Sequence, residues 1–312
     1  MSSPSKCLLL PIDGTLESLR PVEFLSRLYP PVSVNLILSY FLPALSPAYS
    51  GGIVDSPEMA RRRREAMSLR EQTTRRIFDA AREALLKAGF SRELIVEHVQ
   101  QKEMTVAKHA CLLADTRKVD AILVQKRVSS SLEGFLKGDS TSALLRHCLT
   151  SPIWFNEGEA ARMDAAICIY SESATLRIAD HTAYMLSETD AEISLLHVAR
   201  SLATPVACSF AEAGETLAAW SRTPAGREVM PYLTKSADII KDNGIPESRI
   251  RIALIPGMGD TAHEILAWCA SNAIGIVGLG HSQPQGVWSF LKTSVTRTIL
   301  SDFRNMAVWV MQ

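Results

Sequence analysis

Short apolar segments alternate with longer segments of helical periodicity through the first half of the chain. The apolar segments that predict strands are residues 7–12, 34–41, 94–99, 121–124 and 152–155. Helical spacing predicts helices that start near residue 18 and that span residues 57–87, 105–117 and 140–148. In the longest of these, apolar positions recur from Leu69 to Leu85, and Gly89 is expected to end the helix. Strands that alternate with helices predict a parallel sheet covered on both faces, with ligands bound where the first and fourth strands end.

The second half of the chain repeats the pattern of the first. Residues 134–155 (GFLKGDSTSALLRHCLTSPIWF) match residues 289–310 (SFLKTSVTRTILSDFRNMAVWV), and residues 119–125 match residues 272–278. Each copy is about 150 residues long, which is a usual domain size. The sequence therefore predicts an α/β protein of two repeated doubly wound domains, residues 1–157 and 158–312. Each domain is expected to have a five-stranded parallel sheet, and the two are expected to pack around a pseudo-twofold axis.

Charge and hydropathy narrow the function classes. Lys and Arg total 33, as do Asp and Glu, and this balance argues against a nucleic-acid binder that works by bulk charge. The apolar run CLLLPI is ended by Asp13 and is too short for a signal peptide. Residues 34–49 contain Pro43 and Pro47, so they predict a strand and a loop and not a membrane span. We therefore expect a cytoplasmic protein without a membrane partner.

The six cysteines also indicate a cytoplasmic protein. They include no Cys-x-x-Cys pair, and most lie in apolar surroundings. We expect all of them to be buried thiols in a reducing compartment, without a disulfide framework or a zinc site.

Three features of the sequence resemble the universal stress protein family in its tandem-domain form, and the resemblance covers nearly the whole chain. The first is Asp13-Gly14-Thr15, which is similar to the family's Asp-Gly-Ser after strand one. The second is the helix-to-strand segment 107–124. The third is the stretch after strand four, which in nucleotide-binding members reads Gly-x2-Gly-x9-Gly-(Ser/Thr). The resemblance implies an adenine nucleotide alpha hydrolase-like fold in each half, with the aspartate near the nucleoside and the glycines near the phosphates.

The first half keeps the spacing of this glycine motif but not its chemistry. Gln125 and Val128 stand where bare glycine backbone would approach phosphates. Gly138 is retained, but Asp139 places a negative charge where a phosphate would lie, with Ser140 directly behind it.

The second half keeps a different part of the motif. Gly278 is retained, Gly280 falls one residue before the expected second glycine (which is His281), and Ser294 keeps the hydroxyl. The position of the strand-one aspartate is taken by Tyr170, so the nucleoside anchor is lost in this half.

The resemblance thus implies a set of candidate cofactor-binding residues: Asp13, Gly138, Ser140, Gly278, Gly280 and Ser294. ATP is the candidate cofactor, and Lys126 with Arg127 would supply positive charge in the first half. The favoured interpretation is that neither half binds ATP in the usual way, ahead of weak binding by the second half and of full binding by both. No catalytic residue and no metal site is assigned.

Two other motif-like stretches have simpler interpretations. Residues 50–56 (SGGIVDS) resemble the loop of ATP pyrophosphatases, but they follow strand two and contain one residue too many. A turn and a helix cap are expected there. His263-Glu264 begins like a zinc-protease motif, but Ala267 takes the place of the second histidine.

A basic run and two tryptophans leave alternatives open. Arg61–Arg64 is expected to form a solvated helix face paired with Glu58 and Glu65, and an acidic partner is the alternative. Trp154 and Trp309 end equivalent strands, and either an interface or a core position fits both.

Two classes of function follow from these patterns. The first, which we adopt, is a non-enzymatic stress-response protein that binds an unknown protein or small-molecule partner. The alternative is an ATP-binding protein or weak ATPase of the same α/β group that uses the second-domain loop. A scaffold without any ligand is a third hypothesis. No nucleic-acid partner is expected, and the chain is either a monomer with an internal pseudo-dimer or a homodimer.

Overall fold

The computed structural model describes residues 6–29, 34–44, 57–126, 140–170, 173–200, 202–281 and 295–312. The chain divides into two units. Unit 1 comprises Met1–Gln125 with Gly138–Ser151, and unit 2 comprises Lys126–Lys137 with Pro152–Gln312.

Unit 1 is built around parallel strands in the order β3-β2-β1-β4. Its core strands are apolar because helices shield the sheet from water, and Leu8, Leu9 and Leu10 are all fully buried. The order places the ends of β1 and β4 side by side, as the sequence predicts. In chain order the elements are β1 (Lys6–Ile12), α1 (Pro21–Leu28), β2 (Val34–Leu42), α2 (Pro57–Lys87), β3 (Ile95–Gln101), α3 (Val106–Arg117), β4 (Ala121–Gln125) and α4 (Ser140–His147).

Helix α2 has two different halves. Its C-terminal half packs on the sheet through Phe78, Ala81 and Leu85. It ends as predicted, because Gly89 adopts a φ of 90° and the Phe90 amide donates to the Leu85 carbonyl at 3.0 Å. The N-terminal half is different, since Leu69 is 64% exposed although helical spacing placed it on the apolar face. In this half of the helix, the apolar positions at helical spacing are therefore not the buried positions.

Unit 2 contains strands in the order β5-β11-β10-β6-β7-β9-β8. The sequence predicts only parallel strands, but β5 pairs antiparallel with β11 and β8 pairs antiparallel with β9. Strand β8 is short and follows β7, and the sequence reasoning did not predict it. In chain order the elements are β5 (Ile153–Glu157), β6 (Ala165–Cys168), α5 (Ser173–Leu186), β7 (Ile193–Ala199), β8 (Val206–Ser209), α6 (Gly214–Trp220), α7 (Pro224–Asp242), β9 (Ile250–Pro256), α8 (Thr261–Ser271), β10 (Ile276–Gly280), α9 (Val295–Asp302) and β11 (Met306–Met311).

Trp154 and Trp309 belong to the core of unit 2. They face each other across the β5–β11 pair and stack with ring centroids 3.9 Å apart, and both are fully buried. Helix α5 closes this cluster with His181, whose Nε2 accepts a 2.9 Å hydrogen bond from Trp154 Nε1. Burial lowers the pKa of His181 to about 3, so its imidazole is neutral in the folded protein.

The prediction of six free thiols was wrong for one pair of cysteines. Cys111 on α3 and Cys148 just after α4 form a disulfide, with their Cα atoms 5.0 Å apart. The two helices pack against each other, and this brings together residues that are 37 positions apart in sequence. The remaining four cysteines, Cys7, Cys168, Cys208 and Cys269, are free.

We expect the disulfide to stabilise unit 1. A cross-link across 37 residues restricts the unfolded chain, so Cys111→Ser should lower the free energy of unfolding by about 3–4 kcal/mol. Cys208→Ser, which removes a free thiol, should have a much smaller effect in the same thermal melts. Alkylation of denatured, unreduced protein should label four cysteines, and labelling of all six would contradict the cross-link.

We also expect His181 to make unit 2 sensitive to acid. Its folded pKa of about 3 lies below the ordinary value of 6.5, so the unfolded chain binds the extra proton between these pH values. The unfolding free energy should therefore fall by about 1.4 kcal/mol for each unit that the pH drops within this window. His181→Gln, which keeps an acceptor for Trp154, should remove this slope.

Tryptophan fluorescence isolates this effect, because all five tryptophans lie in residues 152–312. His263→Gln is the matched control, since His263 is exposed, and it should leave the slope due to His181 in place. A His181→Gln protein with the same acid slope as the wild type would show that another group causes it.

Candidate functional site

Asp13 lies in the loop after β1, at the edge of the unit 1 sheet where β1 and β4 end. Its Oδ1 accepts hydrogen bonds from the Thr15 amide at 2.9 Å and from the Thr15 hydroxyl at 2.6 Å. Thr15 in turn caps the short 3-10 helix Leu16–Leu19 through the Ser18 amide. The carboxylate is exposed, but one of its oxygens is already used to shape this turn.

Gly14 fixes the path of the same loop. Its φ is 85°, a conformation that side chains rarely adopt. A Cβ at this position would lie 2.9 Å from Ile77 Cδ1 on helix α2. The Asp13-Gly14-Thr15 motif is therefore a tight turn packed below α2, with the aspartate on its outer side.

Tyr170 holds the corresponding position in unit 2, after β6. The buried Thr175 hydroxyl lies 3.1 Å from both the main-chain nitrogen and the main-chain oxygen of Tyr170. The first turn of α5 thus closes onto the end of β6. Tyr170 carries no carboxylate, so this position does not supply the acceptor that the resemblance assigns to the nucleoside end.

The two glycines of β10 contact helix α5. A Cβ on Gly278 would lie 3.2 Å from Ile178 Cγ1 and 3.3 Å from the Thr182 hydroxyl oxygen. A Cβ on Gly280 would lie 2.7 Å from the Thr175 nitrogen and would overlap the carbonyl group of Ala174. Backbone cannot move aside as a flexible side chain can, so Gly280 is needed for α5 to pack on β10.

Lys126 follows β4, in the stretch that would supply positive charge to a phosphate. Its ammonium instead donates to the main-chain oxygens of Ser301 at 2.6 Å and Phe303 at 3.0 Å, and it lies 4.2 Å from the centre of the Phe303 ring. These oxygens belong to the C-terminal end of α9 and the residue after it, where carbonyl groups attract a cation. The charge of Lys126 is therefore used within unit 2.

His197 lies near the end of β7, the strand that pairs with β6 in the sheet. Its Nδ1 lies 2.8 Å from the Ile169 carbonyl oxygen, which only accepts, so Nδ1 carries the proton. Burial lowers the pKa of His197, and the Ile169 carbonyl opposes this in part. The neutral ring packs on Trp220 at 5.5 Å. Burial also raises the pKa of the neighbouring Cys168 thiol to about 12, which leaves it un-ionised and unreactive.

Some predicted positions lie outside the described residues. They are Val128, Gly138, Asp139 and Ser294, together with the stretch 50–56. Ser140 is the first residue of α4, and only its backbone is described. Of the candidate cofactor-binding residues, the structure thus describes the surroundings of Asp13 in unit 1 and of Gly278 and Gly280 in unit 2.

The His263-Glu264 pair also serves local structure. Glu264 accepts hydrogen bonds from the amides of Met258 and Gly259, both at 2.6 Å, and His263 lies 3.2 Å from Asp302. In the described part of the chain, no three His, Cys, Asp or Glu side chains are grouped so that they could hold a metal ion. None of the described helices is long and apolar enough to cross a membrane.

Sequence reasoning missed a groove in unit 1 between helix α2 and strand β3. Its volume is about 760 Å³, and it is lined by arginines, carboxylates and exposed apolar side chains. The arginine-rich sequence of α2 indicates charge, but only the structure shows that a groove lies between this helix and β3.

The comparisons with known proteins agree with this geometry. The model of the universal stress protein family matches residues 5–151. The first half of the chain belongs to the universal stress protein family. The fold is thus that of a universal stress protein, with a mostly parallel sheet and flanking helices in each unit. No curated protein sequence matches the chain.

Solved structures extend the likeness in fold to the second half. A universal stress protein from Archaeoglobus fulgidus DSM 4304 is 13% identical, covers 99% of this chain and 96% of its own, and has a TM-score of 0.61. A candidate universal stress protein from Pseudomonas aeruginosa UCBPP-PA14 is 12% identical, with coverage of 98% and 92% and a TM-score of 0.52. At these identities the likeness shows the fold alone.

A third solved structure matches one half of the chain. It is a universal stress protein in complex with cAMP, 19% identical, which covers 49% of this chain and 98% of its own with a TM-score of 0.34.

A structural role for Gly280 predicts a loss of stability on substitution, with no ligand present. Gly280→Ala should lower the free energy of unfolding of unit 2 by about 1–3 kcal/mol, because the added Cβ forces α5 away from β10. Gly214→Ala is the matched control, since a Cβ there meets no atom within 4 Å and alanine favours the helix. Equal stabilities of the two variants in a tryptophan-monitored melt would argue against the packing role.

Proposed function

We propose that the chain is a non-enzymatic binding protein of the stress-response type, in which neither unit binds ATP in the manner of the nucleotide-binding members of its family. The observation that carries this proposal is the use of Gly280 and Gly278 in packing. Both glycines lie against α5, so the backbone at the end of β10 is committed to a helix contact.

The partition of the site residues supports the same conclusion. Unit 1 has the aspartate, Asp13, but Gln125 stands at the first glycine position. Unit 2 has the glycine, Gly278, but Tyr170 stands at the aspartate position. A nucleotide needs the nucleoside acceptor and the phosphate cradle in the same unit. Neither unit offers both among the described residues.

The titratable groups support a binding role over a catalytic one. His181 is buried against Trp154, His197 is held by the Ile169 carbonyl, and His109 accepts from the amides of Glu103 and Met104. Each of these imidazoles contributes to packing or to a turn. A general acid or base must instead reach a substrate atom.

The alternative function, weak ATP binding or hydrolysis by the second half, is favoured by one feature. Gly278 and Gly280 do lie at the carboxyl end of a central parallel strand, β10, beside the end of β6. Ligands of doubly wound sheets bind at such a position. Titration with ATP tests this alternative directly.

Isothermal titration of the full chain with ATP and Mg²⁺ tests the proposal. We expect no binding with a dissociation constant below about 100 μM. Asp13→Ala should behave as the wild type does, because Asp13 serves the Thr15 turn. Tight binding by the wild type that disappears in Asp13→Ala or in Gly278→Val would contradict the proposal and assign the site to the half concerned.

A further inference from the structure

The groove of unit 1 lies between helix α2 and strand β3. One wall is a face of α2, whose lining residues recur at successive turns of the helix. The other wall is the end of β3. Phe78 lies where the two walls meet. Apolar side chains remain exposed on both walls, with Met67 53% and Val99 44% accessible to solvent. The groove thus offers apolar surface that unit 1 leaves uncovered.

Among the described residues, no strand pairs with the outer edge of β3, which borders this groove. Strand β3 is the outermost strand in the order β3-β2-β1-β4 of the described residues. The Lys102 amide donates to Leu42 on β2, and in a parallel ladder alternate residues point to the same neighbour. The amides of Glu97, Val99 and Gln101 therefore point away from β2, toward the open side.

In unit 2, the strand that corresponds to β3 has another strand paired with its outer edge. Strand β9 pairs with β7 as β3 pairs with β2, and its outer edge carries β8 in antiparallel pairing, with Val206 opposite Leu254 and Ser209 opposite Arg251. The corresponding strand of unit 1 has no such neighbour among the described residues. An added antiparallel strand is thus compatible with the twist and the packing of this fold.

The charged residues of the groove determine which side chains an added strand would need. Of the described residues, four arginines and three carboxylates line the groove. Glu71 pairs with Arg75 at 3.5 Å, and Arg82 pairs with both Asp79 and Glu97. Arg64 is exposed and forms no ion pair with any described residue. The excess charge of the described lining is therefore positive, and Arg64 is exposed to carry it.

We propose that unit 1 binds an extended peptide segment with acidic side chains, which adds antiparallel to the edge of β3 and places alternate side chains in the groove beside α2. Main-chain hydrogen bonds to the outward amides supply affinity, and the groove supplies sequence preference. The proposal names a partner class for the binding role proposed above and rests on that role. The ATP titration and the peptide experiments have independent outcomes, so failure of one proposal can be told from failure of the other.

Selection of random short peptides from a displayed library on the full-length protein tests this inference. We expect enriched peptides to alternate apolar and acidic residues. A synthetic copy of an enriched peptide should bind Arg64→Glu about tenfold more weakly than the wild type. Arg76→Glu is the matched control, because Arg76 is also an exposed arginine of α2 but does not line the groove, and it should change affinity less than about twofold.

A second variant tests the strand addition itself. Val99→Pro removes one outward amide, which an edge strand tolerates, so the protein should melt as the wild type does but bind the peptide about tenfold more weakly. Hydrogen exchange should show the amides of Glu97, Val99 and Gln101 fast in the free protein and slow with peptide bound.

Three results would overturn the proposal. The first is a selection without enrichment of acidic peptides. The second is equal loss of binding in Arg64→Glu and Arg76→Glu. The third is slow exchange of the three outward amides in the free wild-type protein, since that would mean that the edge is already paired. If that protection disappears on dilution together with a dimer in sedimentation, a second copy of the chain is the occupant.

Discussion

The architecture of unit 2 depends on the close approach of helix α5 to strand β10. Gly278 and Gly280 have no side chains, and this allows the helix backbone to come within contact distance of the strand. From that position α5 reaches its other partners, since it also contacts β6, β11 and α7. His181 on the same helix completes the tryptophan cluster of β5 and β11. A shift of α5 would disturb all of these contacts together, because protein interiors are close-packed.

This constraint gives the glycines of β10 a structural role that needs no ligand. A glycine at the end of a parallel strand permits two things: backbone amides can approach a phosphate, or a helix can approach the strand. The sequence shows the residue type but not the neighbour. The resemblance to universal stress proteins is confirmed for the fold, whereas the site residues that it implies stay a prediction. What decides the matter at Gly280 is the position of Ala174, which is about a hundred residues away in the chain.

Most of the secondary structure could be predicted from the sequence, because its signals are local. Apolar runs gave the central strands, and the stop at Gly89 and the start of α2 at Pro57 follow from helix-end chemistry. The features that were missed depend on tertiary contacts. Strand β8 is four residues long, and the Cys111–Cys148 disulfide needs the packing of α3 on α4. The exposure of Leu69 likewise reflects where the sheet ends and not the periodicity of the helix.

The two units thus share a strand order and differ in what their surfaces leave available. In unit 2, β8 covers the outer edge of β9, and the Thr175 hydroxyl contacts the backbone of Tyr170 after β6. In unit 1, no described strand pairs with the outer edge of β3 beside the basic helix α2. The central claim that we propose is that Gly278 and Gly280 serve the packing of α5 and do not hold a nucleotide. Native mass spectrometry of freshly purified protein tests this claim most directly. The account predicts the mass of the bare chain, or of its dimer, without a nucleotide. Co-purified ATP, or another adenine nucleotide in stoichiometric amount, would contradict it.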